Sequence, residues 1–366
     1  MKCIRAGIVG GGFIGKQHIE AIRRVPRTLV VAVCEQTMEQ ASDTACLLGI
    51  DFFYDTVEAM LRAHPDLDVV HNCTPSHLHY DVSKKVLEAG VNVFCEKPFT
   101  LHAHESDELT LLAQRLNLLG GVSFNYRHNA MVEEMKERVA NGSIGKPWFV
   151  AAEYLQDWLL FDTDFNWRVD STYGGNTRAI SDIGSHCFDT IQYLMGEKIV
   201  AVLAKRYILH PERMVNSTDS VRVENEDAAV IHARFESGLE ALVRVSQVTS
   251  GKKNDFKILL EGTKQSLEWH QEQPDRLRIG RRDEGNVEIY ADQKYLTGNA
   301  KAKVGLPNGH AVGWADAFTN SIACFYSALI APGENLGYTS FEAAHHITKI
   351  TDACVRSDEL GVWVNV

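Results

Sequence analysis

Short apolar runs alternate with helical patterns over the first 124 residues of the chain. The runs are rich in Val, Ile and Phe, as buried strands are, while the segments between them repeat apolar residues at three- and four-residue spacing, as amphipathic helices do. The predicted strands are 3–9, 29–34, 52–54, 68–73, 91–95 and 121–124, and the predicted helices start near Phe13, Thr37, Thr56, His77 and Leu101. This alternation is typical of a parallel sheet covered by helices.

The pattern changes after Asn125. Turn pairs at Ser237-Gly238 and Gly262-Thr263 separate neighbouring strands closely, which indicates antiparallel hairpins. The predicted helices are 131–139, 183–195, 314–329 and 340–355, and the predicted strands include 148–154, 228–235, 239–248, 256–261 and 266–270. We therefore predict an α/β protein with two domains, a parallel-sheet domain over 1–124 and an α+β domain with a mostly antiparallel open sheet over 125–366.

Composition and charge exclude several classes of protein. The 45% of hydrophobic and 23% of charged residues are ordinary for a globular protein, and the formal net charge of -11 is spread along the chain. Such a charge disfavours binding to nucleic acid, and no apolar run approaches the length of a membrane span. The eight cysteines occur without a CxxC pair, and the N-terminus shows no apolar signal region. We therefore expect a cytoplasmic protein without nucleic-acid or membrane partners.

A glycine motif follows the first predicted strand: Gly10-Gly11-Gly12-Phe13-Ile14-Gly15 fits G-x-G-x-x-G. In such a loop the first glycine allows a tight turn, the second lets the backbone approach a pyrophosphate, and the third lets helix and strand pack closely. The phosphates would face free N–H groups and the positive end of the helix dipole. Glycine-rich turns also join strands to helices without a ligand, so the motif alone is weak evidence.

Glu35 supplies a second feature, because it follows the second predicted strand about twenty residues after the glycines. An acid there binds a ribose 2′-hydroxyl and repels a 2′-phosphate. No Arg or Lys stands within Gln36-Thr37-Met38 to compensate, so NAD is favoured over NADP. The alternative is a solvated acid at a strand end.

Three further segments complete a resemblance. They are Asn72-Cys73-Thr74-Pro75-Ser76-His77-Leu78-His79, Glu96-Lys97-Pro98 and Asp182-Ile183-Gly184-Ser185-His186. With the glycine motif, and in this order, they resemble the glucose-fructose oxidoreductase / inositol dehydrogenase / rhizopine catabolism (Gfo/Idh/MocA) family over nearly the whole chain. The resemblance implies a Rossmann domain, a second domain whose open sheet often mediates oligomerisation, and nicotinamide bound between the two. A homodimer or homotetramer is therefore expected.

The resemblance also implies roles for individual residues. The implied cofactor contacts are Gly10, Gly12, Phe13, Ile14, Gly15, Glu35, Thr74, Pro75, His79, Glu96, Lys97 and Asn125. Of these, Thr74, Pro75 and His79 would line the ribose and nicotinamide side. Glu96 and Lys97 would lie beside the reacting carbon, and Asn125 would contact the cofactor at the domain crossover.

Physical reasoning supports Lys97 independently of the family. When an alcohol is oxidised, its hydroxyl proton leaves and the carbinol oxygen becomes more negative as the hydride is transferred. A fixed cation near that oxygen therefore lowers the activation barrier of hydride transfer. Lys97 follows a strand's carboxyl end, where open α/β sheets bind ligands, and Pro98 stiffens its turn. The alternative is a surface lysine in a turn.

Asp182 and His186 are the predicted acid–base pair. Residues four apart share one face if the helix has begun at Asp182, so both side chains can address one ligand. A neutral histidine accepts a proton at cytoplasmic pH, and His186 is therefore the predicted general base. The alternative makes Asp182 only a helix N-cap, with His186 packed in the helix.

The segment before this helix is rich in aromatic and hydrogen-bonding residues, as a sugar pocket is. Trp158, Trp167 and Arg168 are its candidate substrate contacts, together with Lys97, Asp182 and His186. A folded surface loop anchored by tryptophans is the equal alternative. The form of the segment resembles family members that act on sugars and anhydrosugars, while inositol remains open.

We therefore predict an NAD-dependent dehydrogenase for a secondary alcohol of a sugar, glycoside, anhydrosugar or cyclic polyol. No metal site is predicted, because the close histidine pairs lack a third ligand at zinc spacing, and no G-x-S-x-G elbow indicates a hydrolase. Two rivals stay open. One is an NAD-dependent glycosidase that oxidises the sugar transiently, and the other is a non-catalytic NAD-sensing regulator.

Overall fold

The computed structural model describes residues 3–331 and 337–366. The chain forms two compact units. The first contains the chain up to Phe124 and the segment Phe318–His345, and the second contains Asn125–Ala317 and His346–Val366. The predicted boundary after residue 124 coincides with one division between the units, whereas the prediction assigned 318–345 to the second domain.

The first unit is built on a six-stranded sheet in which every pairing is parallel. Its strands are β1 (Ile4–Val9), β2 (Thr28–Cys34), β3 (Phe52–Tyr54), β4 (Val69–Asn72), β5 (Asn92–Cys95) and β6 (Gly120–Val122). Its helices are α1 (Phe13–Arg24), α2 (Met38–Leu48), α3 (Val57–Ala63), α4 (His79–Glu88) and α5 (Ala103–Leu116). The strand order β3-β2-β1-β4-β5-β6 is that of a Rossmann domain and confirms the predicted parallel sheet.

The strand order determines where a ligand can bind. The chain runs from β1 to β2 and β3 on one side and then returns to place β4 on the other side of β1. In open α/β sheets, ligands bind outside the carboxyl ends of the strands at this reversal. The glycine motif follows β1, Glu35 follows β2, Thr74 follows β4 and Lys97 follows β5. The fold therefore brings the predicted cofactor residues of this unit to one edge of the sheet.

The second unit is built on a nine-stranded sheet that is antiparallel except for one central parallel pair. Its helices are α6 (Ala130–Ala140), α7 (Ser171–Gly174) and α8 (Ser185–Met195). Its strands are β7 (Pro147–Leu155), β8 (Ile199–Tyr207), β9 (Glu212–Met214), β10 (Ser220–Arg222), β11 (Ala228–Phe235), β12 (Glu240–Ser246), β13 (Asp255–Gly262), β14 (Ser266–His270), β15 (Arg276–Gly280), β16 (Val287–Tyr290) and β17 (Val364–Asn365). Strands β9 and β10 form a separate hairpin, and the large sheet confirms the predicted α+β architecture.

Alternation along the strands gives this sheet one buried and one open face. In β12, Ala241 and Val243 are buried while Leu242 and Arg244 are exposed, as a period of two requires. The late helices are α9 (Trp314–Ile330) and α10 (Phe341–Leu360). Across residues 3–331 and 337–366, no helix is both long and apolar enough to cross a membrane.

Candidate active site

The glycine loop has the geometry that a pyrophosphate requires. Gly10 has φ +90°, a conformation that side chains rarely adopt, and its N–H donates to the Cys34 carbonyl at 2.9 Å. A Cβ on Gly15 would overlap the carbonyl oxygen of Gly10, whereas Gly12 faces open space. Helix α1 starts after Gly12 without a side-chain cap, so the N–H groups of its first turn, including those of Phe13 and Ile14, suit an anion.

Glu35 is tied to this loop. Its Oε1 accepts hydrogen bonds from the backbone N–H of Gly11 at 2.8 Å and from the Thr44 hydroxyl at 3.1 Å. Both bonds use the same oxygen, so Oε2 is left for a ligand. The side chain is therefore held against the glycine loop at the carboxyl edge of the parallel sheet.

The segment after β4 is held mainly by its own side chains. The Thr74 hydroxyl donates to Asn72 Oδ1 at 2.7 Å, and Pro75 begins a short 3₁₀ turn. His79 is 1% exposed, and its ring nitrogens contact the carbonyl oxygens of Thr74 at 2.9 Å and Pro98 at 2.8 Å. Burial lowers the pKa of His79 despite these two carbonyls. His79 thus joins the Thr74 loop to the Lys97 loop.

Glu96 also faces inward. It is 5% exposed, its Oε1 contacts His18 Nε2 at 2.9 Å, and its Oε2 accepts the backbone N–H of Lys97 at 3.2 Å. Burial opposes ionisation of Glu96, but His18 together with Lys97 and Ser123 outweighs it, and the pKa of Glu96 lies below its usual value. Lys97 is therefore flanked by two fixed groups, the Glu96 carboxylate and the Pro98 carbonyl.

Asn125 opens the second unit and is almost fully buried, with 3% of its surface exposed. Its side-chain amide nitrogen has no hydrogen-bond partner among the residues that the structure describes. A buried donor left unpaired is costly, and a bound ligand is one way to satisfy it. The Asn125 amide therefore stays a candidate ligand contact of the second unit.

Asp182 lies inside a helical segment, so the alternative that makes it a helix N-cap is wrong. It is part of a π-helical turn, Ile180–Gly184, that leads into α8, and its backbone N–H donates to the Arg178 carbonyl at 2.8 Å. Its Oδ2 accepts a hydrogen bond from Gln247 Nε2 at 2.8 Å, and Arg168 Nε lies 3.7 Å from Oδ1. The carboxylate is thus oriented by side chains from two distant segments.

His186 lies one turn further along the helix and is 5% exposed. Its ring makes an edge contact with the Tyr126 ring at 4.7 Å between centroids. Tyr126 in turn contacts the hydroxyl of Tyr154 at 2.8 Å, and Asn254 bonds to both hydroxyls at 3.1 Å and 2.5 Å. Burial raises the pKa of both tyrosines, so they stay neutral and fix the wall beside His186.

A buried charge cluster that the sequence reasoning missed holds the start of this helix. Glu226 Oε1 accepts the backbone N–H groups of Arg178 at 2.9 Å and Ile180 at 2.8 Å. The neighbouring Asp227 pairs with the guanidinium groups of Arg178 and Arg213, and all these side chains are buried. The only sequence signal is two adjacent acids at the entrance of an apolar strand.

Arg213 connects the same cluster to the aromatic segment before the helix, since its guanidinium donates to the carbonyls of Leu159 at 2.8 Å and Phe161 at 2.7 Å. Within that segment the Trp158 indole N–H donates to Gln156 Oε1 at 2.9 Å, and the Arg168 guanidinium lies over the Trp167 ring at 4.3 Å. Trp158 is 36% exposed.

Comparisons with known proteins identify the same oxidoreductase family in both parts of the chain. Residues 4–124 match an oxidoreductase family with an NAD-binding Rossmann fold, and residues 132–268 match the GFO/IDH/MocA C-terminal domain. Levoglucosan dehydrogenase of Pseudarthrobacter phenanthrenivorans is 28% identical, with 100% of this chain and 99% of the relative aligned. Inositol 2-dehydrogenase of Rhizobium meliloti is 26% identical over 97% of this chain and 96% of the relative. A solved levoglucosan dehydrogenase in complex with NADH and L-sorbose has a TM-score of 0.91 and 26% identity, covering 100% of this chain and 99% of that one.

Proposed function

Because the chain belongs to the Gfo/Idh/MocA family of oxidoreductases, we propose that it is an NAD-dependent dehydrogenase acting on a secondary alcohol of a sugar, anhydrosugar, glycoside or cyclic polyol. The observation that carries this proposal is the carboxyl edge of the parallel sheet. There the glycine loop, Glu35 and Lys97 follow β1, β2 and β5, and levoglucosan and inositol dehydrogenases are similar over the whole chain.

The cofactor would be held by the groups whose geometry suits it. The N–H groups after Gly12 would bind the pyrophosphate, Oε2 of Glu35 the ribose, and the unpaired amide of Asn125 a further polar group. NAD supplies the acceptor for the hydride when it is bound. The charge of Glu35 opposes a 2′-phosphate, which supports NAD over NADP.

The acid–base step would be carried by Lys97, Asp182 and His186. The Lys97 ammonium would stabilise the negative character that develops on the carbinol oxygen, and His186 would accept the hydroxyl proton. Asp182 would hold the substrate hydroxyl or the His186 cation, since Gln247 and Arg168 fix its carboxylate. Of these side chains, His186 is almost fully buried and the Asp182 carboxylate is oriented by its neighbours.

The aromatic segment supports a sugar-like substrate. Trp158 offers a ring face whose polar edge is already bonded to Gln156, and such faces suit the apolar side of a sugar ring. Trp167 and Arg168 form a stacked pair beside Asp182. We propose these three side chains as substrate contacts, with an anhydrosugar or sugar favoured over inositol.

The proposal extends to assembly and location. The open face of the large sheet exposes Val230 and Leu242 on neighbouring strands, and this face supports a homodimer or homotetramer. All eight cysteines are free thiols, which supports a reducing compartment such as the cytoplasm. Light scattering on the purified protein tests the assembly, because a monomer at micromolar concentration would contradict it.

The deciding experiment is an absorbance screen for NADH production over monosaccharides, anhydrosugars, glucosides and inositols, with NAD or NADP. We expect stoichiometric NADH and a ketone product from at least one anhydrosugar or sugar. Release of an aglycone without net NADH would instead establish the glycosidase. Binding of NAD without turnover of any compound would establish the regulator.

A further inference from the structure

The interior of the first unit contains a hydrogen-bonded chain of titratable side chains that the proposed reaction does not use. His18 of α1 contacts His71 of β4 through their Nδ1 atoms at 2.7 Å, and His71 Nε2 contacts the Tyr326 hydroxyl at 2.8 Å. At its other end His18 Nε2 contacts Glu96 Oε1 at 2.9 Å. The two histidines are 0% exposed and Tyr326 is 1% exposed. Four polar groups this deep in an apolar domain require an explanation.

The chain ends beside Lys97. Glu96 uses its second oxygen to accept the backbone N–H of Lys97 at 3.2 Å. On the other side of Lys97, the Pro98 carbonyl contacts His79 at 2.8 Å. The backbone on both sides of the lysine is therefore fastened to side chains that are themselves buried, and the Glu96 contact is the one that continues into the interior.

The protonation pattern of the chain follows from Glu96. An ionised carboxylate only accepts hydrogen bonds, so both of its partners must donate, and His18 must carry a hydrogen on Nε2. Burial, and then the proximity of His18, hold the pKa of His71 well below its usual value, so His71 is neutral. Only the direction of the Nδ1–Nδ1 bond remains to be assigned.

Two arrangements satisfy Glu96 and all four ring nitrogens of the two histidines. With His18 neutral, His71 Nδ1–H donates to His18 and Tyr326 O–H donates to His71 Nε2. With His18 charged, its Nδ1–H donates to His71, and His71 Nε2–H donates to the Tyr326 oxygen. The two differ by one proton, and His71 is neutral in both. The contact between His18 and Glu96 is therefore satisfied in either state.

We infer that His18 is a positioning residue for the reaction, holding the Glu96 carboxylate so that Glu96 fixes the backbone of Lys97. The inference rests on the proposed role of Lys97. Displacement of a reacting group by about 1 Å can cost about a hundredfold in rate, so a clamp of this kind affects turnover more than cofactor binding. The His71–Tyr326 arm keeps the clamp closed across a change in the protonation of His18.

The first test compares His18→Leu with His18→Gln. Leu removes both bonds, whereas the Gln amide can still donate to Glu96. For Leu we expect kcat to fall by about ten- to a hundredfold while KM for NAD changes less than about threefold, and for Gln we expect most of kcat to return. The matched control is His64→Leu, which removes another histidine of the same unit that bonds to Tyr54 rather than to this chain.

The pH dependence of kcat distinguishes a positioning role of His18 from a loss of packing, which would not shift it. Glu96 without His18 loses the partner that keeps it ionised, so the acidic limb of kcat in His18→Leu should shift to higher pH. The titratable groups facing this pair are His71, Tyr326, Cys73, Cys95 and Lys97. A Glu96→Gln change in the same background should remove that shift.

Hydrogen exchange decides the inference without a substrate. The Lys97 amide should exchange faster in His18→Leu than in wild type and near the wild-type rate in His18→Gln. An unchanged exchange rate, or a Gln variant as slow in turnover as Leu, would overturn the inference. Should Leu not fold, Glu96→Gln must lower kcat, and an unchanged kcat there overturns it as well. If the wild-type protein oxidises no alcohol, only the proposed function is contradicted. Exchange of the Lys97 amide still tests whether His18 and Glu96 hold that backbone.

Discussion

The two units hold their candidate residues in different ways. In the first unit the glycine loop, Glu35 and Lys97 each follow a parallel strand, and backbone geometry does most of the positioning. In the second unit Asp182 and His186 lie on one helix that is held by side chains from segments more than forty residues away. A cofactor with constant phosphates suits fixed backbone groups, whereas a variable substrate suits side chains that other side chains orient.

The largest expected effect is that of replacing Lys97, the side chain of the first unit that we propose to act on the reacting atoms. Lys97→Met should lower turnover by about a thousandfold, the upper end of what loss of one charge-stabilising group costs. NADH binding, measured by fluorescence, should persist because the backbone of the glycine loop is unchanged. The control is Lys84→Met, which removes a half-buried lysine paired with Glu108. Turnover within a few-fold of wild type in Lys97→Met would remove the lysine from the reaction.

The buried charge cluster of the second unit should contribute strongly to stability. Asp227→Ala leaves Arg178 and Arg213 buried without their shared carboxylate. Breaking a buried pair costs about 3–5 kcal/mol, so we expect the free energy of unfolding in urea to fall by about that amount. Asp283→Ala, which breaks an exposed pair with Arg282, should change it little. Equal stability of the two variants would refute the anchoring role of the cluster.

The pH dependence of that loss has a definite sign. Burial opposes ionisation of Asp227, but Arg178 and Arg213 outweigh it, and its pKa in the folded protein lies below the usual value. Its stabilising contribution is therefore present above the unfolded pKa of about 3.9 and disappears as the pH falls through the folded value. The difference between wild type and Asp227→Ala should shrink in acid and stay constant at neutral pH.

The next effect concerns His186, the proposed general base. His186→Ala should lower kcat by about a hundredfold and remove the acidic limb of the pH–rate profile, because the group that must be neutral is gone. The Tyr126 ring beside it would lose a contact, so thermal unfolding is measured in parallel. His310→Ala, in an exposed loop, is the control. A variant that kept both its rate and its acidic limb would leave Lys97 as the likelier base.

Asp182→Asn removes the negative charge of the side chain but keeps its shape. The Asn oxygen can still accept from Gln247, so the side chain keeps its place while the charge is lost. We expect turnover to fall by about tenfold, the worth of one charged hydrogen bond, with little change in melting temperature. A loss of stability without a loss of rate would give Asp182 a structural role only.

The difference between local and long-range contacts explains which features could be predicted from the sequence. The strand–helix alternation depends on neighbouring residues, so periodicity was sufficient to predict the parallel sheet. The candidate residues came from short motifs such as the glycine loop and D-I-G-S-H and from the family resemblance that those motifs carry. The inward turn of Glu96 onto His18 joins positions 78 residues apart, and Gln247 reaches Asp182 across 65 residues. Bonds over such separations depend on tertiary packing, which leaves no local pattern.

The smallest effect tests the cofactor edge. Glu35 combines an observed contact with a proposed role, because Oε1 holds the Gly11 N–H and the Thr44 hydroxyl while the charge would oppose a 2′-phosphate. Glu35→Ala removes both the contact and the charge, so a higher KM for NAD in that variant would not show which of the two matters. Glu35→Gln keeps an oxygen for the loop and removes only the charge.

We therefore expect Glu35→Gln to raise KM for NAD a few-fold and to bring NADP into measurable use, since the repulsion has gone but the loop is still held. Glu35→Ala should raise KM for both cofactors further. Steady-state kinetics with each cofactor at a saturating alcohol concentration give the two ratios. A preference for NAD that is the same in wild type, Gln and Ala would mean that another group selects the cofactor and that Glu35 only holds the glycine loop.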